Sequence, residues 1–128
     1  MQPYFLNVDL EIQSASKLDS LVAAMGKQVV VLHSGPGSAK RYLLALESSR
    51  EHKGPDATIH ALCATVEGLP PTVRRIWNAS RREFDVGYEL RASERSSRFS
   101  LRPDTLERIS KLGATLTVTY YRGDTNDA

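Results

Sequence analysis

A chain of 128 residues with 41% apolar and 25% charged side chains has the size and make-up of one ordinary globular domain, which excludes disorder and fibrous classes. Its single cysteine, Cys63, excludes an internal disulfide and any paired-cysteine metal or redox motif. The net charge is only +2, yet residues 74–108 hold nine arginines against six acids, whereas residues 1–73 hold six bases and seven acids. Arginine forms planar two-pronged contacts with carboxylates and phosphates, so this window is a candidate contact region.

The single cysteine fits a reducing compartment, and the expected location is the cytoplasm. The opening MQPYFLNVDLEIQ shows no basic-then-apolar leader pattern, and no apolar run approaches the roughly 20 residues that span a bilayer, so neither secretion nor membrane insertion is expected.

Along residues 4–12, Tyr4, Leu6, Val8, Leu10 and Ile12 alternate with Asn7, Asp9 and Glu11, the pattern of a half-buried strand. Ser16 stands three residues before Asp19 as in a capping box. Leu18, Leu21, Val22 and Met25 then repeat at helical spacing, and Gly26 offers a left-handed stop. From Gln28 to His33 the run Val29-Val30-Val31 predicts a strand covered on both faces, central in the sheet. The turn cluster Ser34–Ser38 and the alternation of Tyr42, Leu44 and Leu46 complete a hairpin, although Ala39, Tyr42, Leu43 and Leu46 also fit a helix.

Asp56 is a good N-cap for a helix whose apolar stripe is Ile59, Leu62, Cys63 and Val66 and which ends near Gly68. Pro70-Pro71 interrupts it, and Val73, Ile76 and Trp77 form a second short helical face with Pro71 in its first turn. Phe84, Val86, Tyr88 and Leu90 alternate as a strand, and Ala92–Arg98 reads as a polar loop. Phe99 and Leu101 suggest a brief extended piece, Pro103 and Asp104 open a helix that Gly113 closes, and Leu116, Val118 and Tyr120 form a last strand before a frayed GDTNDA tail. Superposing Gly26 on Gly113 aligns Val29 with Leu116 and Val31 with Val118, a faint echo of one unit at both ends. The expected fold is a single α+β domain: a ferredoxin-like two-layer sandwich with a mainly antiparallel sheet and helices on one face.

Motifs for chemistry are sparse. Gly35-Pro36-Gly37-Ser38-Ala39-Lys40 has one residue between its glycines where a phosphate-binding loop needs four, and Arg41 follows Lys40, so a hairpin turn is the reading. His60 and Cys63 lie three apart but lack further ligands at supporting spacing, and Cys63 falls in an apolar stripe, where a thiol packs as a small hydrophobe. Glu83, Asp85 and Glu89 are the nearest approach to paired carboxylates, with Asp85 and Glu89 on a polar strand face. No serine-nucleophile elbow is present, and the chain reads as non-enzymatic, without cofactor or metal.

The second half, Phe84-Asp85-Val86-Gly87-Tyr88-Glu89, Phe99-Ser100-Leu101-Arg102-Pro103-Asp104-Thr105-Leu106, Leu112-Gly113-Ala114 and Leu116–Tyr121, resembles a family of small bacterial domains of unknown function, number 4279 in that series. The likeness covers residues 80–121, and residues 1–40 depart from it. The resemblance implies a bacterial α+β domain and carries no catalytic residues.

The leading expectation is a protein-binding module, with toxin-neutralising immunity as one form, whose contacts are Arg91, Arg95, Arg98 and Arg102. A second is nucleic-acid binding by that loop together with Arg74, Arg75, Arg81 and Arg82, set against Trp77 falling in phase with the core. A third is a small-ligand pocket near Tyr88 and Tyr120. A homodimer, edge to edge or sheet to sheet, is also open.

Overall fold

The computed structural model describes residues 5–90 and 98–122. In chain order the elements are β1 (Phe5–Ser14), α1 (Asp19–Met25), β2 (Val29–Pro36), β3 (Tyr42–Ser48), α2 (Gly54–Glu67), α3 (Pro71–Ala79), β4 (Arg81–Leu90), α4 (Pro103–Lys111) and β5 (Thr115–Arg122). A single 3-10 turn, Gly26–Gln28, links α1 to β2. The chain is thus α+β, with a mixed sheet in the order β2-β3-β1-β4-β5. β1 pairs antiparallel with β3 and β4, β2 antiparallel with β3, and β5 runs parallel to β4 after the α4 crossover.

Alternation decides which face is buried. Val8, Leu10 and Ile12 of β1 are sealed beside Leu44 and Leu46 of β3 and Phe84 and Val86 of β4. The four helices supply Leu21 and Met25, Ile59, Leu62, Cys63 and Val66, Trp77, and Ile109 to the same cluster. A register shift between Phe5 and Asn7 leaves Phe5 against the core and Leu6 exposed; from Asn7 onward the odd-numbered residues of β1, like those of β4, point the other way, onto a sheet face that receives no helix among the described residues.

Three local expectations are corrected. The near capping box at Ser16 does not form: α1 begins only at Asp19, Leu18 occupies the cap position without a side-chain bond, and the Ser16 N–H instead meets Ser14 Oγ at 3.0 Å. Asp56 does not cap α2. Pro55, with its fixed φ and missing N–H, suits the first turn and starts the helix at Gly54. The Asp56 carboxylate is left free to accept the Arg102 N–H at 2.8 Å, pinning the entry to α4. β2 is not central but lies at the sheet edge, because β3 turns back on one side of it and β1 already fills the other side of β3.

The hairpin between β2 and β3 closes through Ser38–Arg41, with the Arg41 N–H bonded to the Ser38 carbonyl at 3.1 Å and Ala39 and Lys40 both at positive φ. Two central residues in that region match the right-handed twist of the strands. This is a chain reversal, without the inward cradle of N–H groups that a phosphate requires. Phe99 and Leu101 are half-buried against the core but belong to no strand. Gly113 is held at φ +71, and an added Cβ would sit 2.9 Å from a guanidinium nitrogen of Arg82. Gly26, its counterpart in the internal echo, also has positive φ; both introduce edge strands, β2 at one side of the sheet and β5 at the other. No described helix is long and apolar enough to cross a membrane.

Candidate functional site

The uncovered sheet face gathers the acids of three strands. Register places Asp9 directly opposite Asp85 and Glu11 directly opposite Glu83 across the β1–β4 pair, and Glu47 of β3 lies on the same face beyond Asp9. Like charges facing each other across a sheet are destabilising, so this arrangement carries a cost. Thr117 and Thr119 of β5 soften it by donating hydroxyl bonds to Glu83 at 2.7 Å and Asp85 at 2.6 Å, and the Asn7 amide donates to Glu47. Among the described residues no Lys or Arg forms an ion pair with Asp9, Glu11, Glu47, Glu83 or Asp85. Partial burial, then Glu47 and Asp85, push the Asp9 carboxyl above its ordinary range. Partial burial, then Glu83, Asp85 and Asp9, do the same to Glu11.

Carboxylate oxygens of Glu11, Glu83 and Asp85 lie within 4.8 Å of one another. Three oxygens on an open face supply half or less of the roughly 6–8 that a calcium ion takes. At the end of this face, over Gly87, Leu6 and Tyr121 form an apolar spot, each 51% exposed.

Several of the described arginines of the 74–108 window are engaged by the chain's own side chains. Arg91 and Arg95 lie outside the described residues. Arg98 is exposed, and exposed Arg102 leans on Asp104 at 3.4 Å. Arg82 turns inward over the Trp77 ring, and Arg108 grips Glu67 through Nε and Nη2 while contacting His60 at 2.6 Å. The hydrogen bonds from Arg108 hold the Glu67 carboxyl below its ordinary range. Trp77 is fully buried, so its ring is not available for stacking on a base. The third expected site, near Tyr88, is occupied by the protein's own rings: Phe99 stacks on Tyr88 at 5.7 Å and Tyr120 meets it edge-on at 6.1 Å.

A cleft of about 750 Å³ lies between the start of β1, Val30 of β2 and residues 47–54. Its wall brings Ser48 Oγ to 3.2 Å from His52 Nε2, while the same oxygen accepts the Arg50 N–H at 3.3 Å. No described carboxylate pairs with His52, so the third group that orients the base of a nucleophilic triad is missing. His60 and Cys63 do not meet at a common ligand position: His60 is exposed against Arg108 and Asp104, and Cys63 is sealed in the core.

Burial pushes the Cys63 thiol up to about 11. A thiol this far from ionising, and enclosed, is inert. Native protein held with iodoacetamide at pH 8 is therefore expected to stay unmodified by mass spectrometry and to gain one carbamidomethyl group once urea unfolds it. Rapid modification in the folded state would contradict the buried placement.

No family model, curated protein or solved structure matches the chain. What it does must therefore be read from its own surface. The acids themselves were visible in the sequence, Asp9 and Glu11 in one alternating strand and Glu83, Asp85 and Glu89 near another. What was missing was the pairing of those two strands, which alone brings the groups together.

Proposed function

We propose that this chain is a non-enzymatic protein-binding module that presents its open, acidic sheet face to a basic protein surface. The carrying observation is the register that sets Asp9 against Asp85 and Glu11 against Glu83 with no cation among the described residues paired to them. Such a face is costly while free and relieved when Lys or Arg side chains arrive, and charge complementarity of this kind also steers association. Capping a basic toxin, the immunity role expected from the sequence, is one instance of such binding. The same face repels phosphates, and with Trp77 buried the geometry favours a protein over a nucleic acid.

The architecture fits this reading as a ferredoxin-like sandwich extended by one strand. The first four strands follow the order β2-β3-β1-β4 with every neighbour antiparallel, and β5 adds a parallel edge. Membership of the bacterial family 4279 is part of the same proposal, supported by the placement of Phe99 and Leu101 against the core and of Pro103 in the first turn of α4.

Binding is tested by capturing partners from the native lysate with two baits, the wild type and a variant carrying Asp9→Asn, Glu11→Gln, Glu83→Gln and Asp85→Asn. A basic protein retained after nuclease treatment by the wild type, and bound at least about tenfold more weakly by the variant, is the expected result. Equal capture by both baits, or recovery of nucleic acid alone, would sink the assignment.

A further inference from the structure

The sequence and the surroundings of β2 disagree. Val29-Val30-Val31-Leu32 is continuously apolar, the pattern of a strand buried on both faces, and the strand's eight residues include no Asp, Glu, Lys or Arg. Yet β2 lies at the sheet edge, with Val30, Val31 and Leu32 exposed by 45%, 40% and 49% on its two faces. Among the described residues no strand pairs with its outer side, so a row of main-chain N–H and C=O groups faces outward. Natural sheets guard such edges with charged side chains or proline against unwanted pairing. Here the only proline, Pro36, comes at the last position of the strand. The opposite edge, β5, ends in Arg122 and is rich in threonine.

We propose that β2 pairs antiparallel with β2 of a second copy of this chain, joining two sheets into one. The occupant follows from the chemistry of the edge. A partner strand must be uncharged where it meets Val30 on one face and Val31 on the other, since charge carried there would be desolvated without a counter-ion. A second β2 satisfies both faces at once, and the two-fold pairing closes on itself without leading to a fibre. A register shift between Val31 and His33 bends the strand there and limits the pairing segment to its first half. The buried area therefore falls below the roughly 800 Å² per partner of a standard interface, and the dimer is weak and concentration-dependent. Antiparallel pairing about an axis normal to the sheet keeps both open faces on the same side, so the acidic surfaces of the two copies face the same way, separated by the uncharged pair of β2 strands. The dimer itself does not depend on the binding role of those surfaces.

The test is sedimentation velocity on the full chain from about 1 µM to about 1 mM, a range that brackets weak association. The wild type should shift from monomer to dimer across it. Val31→Lys and, separately, Leu32→Glu should raise the dissociation constant at least about tenfold with an unchanged far-UV spectrum, while Tyr121→Lys at the other edge leaves it unaltered. Hydrogen exchange on the wild type decides even where a variant fails to fold: amides of 29–32 should gain protection as concentration rises. A monomer at every concentration, a dimer indifferent to Val31→Lys, or concentration-dependent protection confined to β5 would each overturn the proposal.

Discussion

Trp77→Ala is expected to cost about 3–5 kcal/mol of unfolding free energy, a large share of the roughly 5–15 kcal/mol typical of a domain. Trp77 is fully buried, and it is the largest of the sealed side chains. Its indole N–H donates to the Leu112 carbonyl at 3.0 Å, tying α3 to the end of α4 and satisfying an acceptor that helix termini leave orphaned. Arg82 lies 5.7 Å from the ring centre and returns a bond from Nη1 to the Trp77 carbonyl at 3.2 Å. Removing the ring therefore leaves a cavity, an unpaired carbonyl and an arginine without its platform. Trp77→Phe keeps most of the volume but not the N–H, and about 1–2 kcal/mol is expected for it. Urea unfolding followed by far-UV circular dichroism measures both, since Trp77 is the only tryptophan and its fluorescence disappears with it. A loss below about 1 kcal/mol for the alanine variant would mean that the site collapses around the gap and that Trp77 does not anchor the helical layer.

Local periodicity carried the order of elements, because each strand and helix buries one face and the spacing of Val8, Leu10 and Ile12, or of Ile59, Leu62, Cys63 and Val66, records that face directly. Trp77 in phase with Val73 and Ile76 was legible as core for the same reason. Pairing was not legible. Which strand lies beside which is set by contacts far apart in sequence, so β2 read as central although β3 and β1 crowd it to the edge. Caps failed where a competing local preference won, with Pro55 starting α2 ahead of Asp56. The arginine-rich window was conspicuous as composition, but Arg82 and Arg108 are engaged by the chain itself, Arg82 over Trp77 and Arg108 with Glu67 at the surface. The acids of β1 and β4 were each unremarkable as the solvent side of a strand, and became a site only through their register.

Neutralising the centre of that site should make the free protein more stable. In the folded state Asp9 and Glu11 bind their protons more tightly than in the unfolded chain, because burial and neighbouring carboxylates raise both. Folding stability therefore falls as pH rises from the ordinary carboxylate range through the raised folded values, and the full penalty applies above that window. Below the ordinary range both states are protonated and the penalty is gone. An Asp9→Asn, Glu11→Gln variant should accordingly gain about 0.5–1 kcal/mol at pH 7, a modest figure because these side chains are partly exposed and screened by solvent. That corresponds to a rise of about 2–5 °C in Tm, shrinking toward zero as pH drops below about 4. Added salt should stabilise the wild type more than the variant, since it screens the same repulsion. Calorimetry across pH and salt reads all three trends. A variant that is less stable at pH 7, or whose gain ignores both pH and salt, would show that the acids are not in conflict. A variant that is more stable yet no longer holds the basic partner would identify the acidic face as a feature that costs the free chain stability and serves binding.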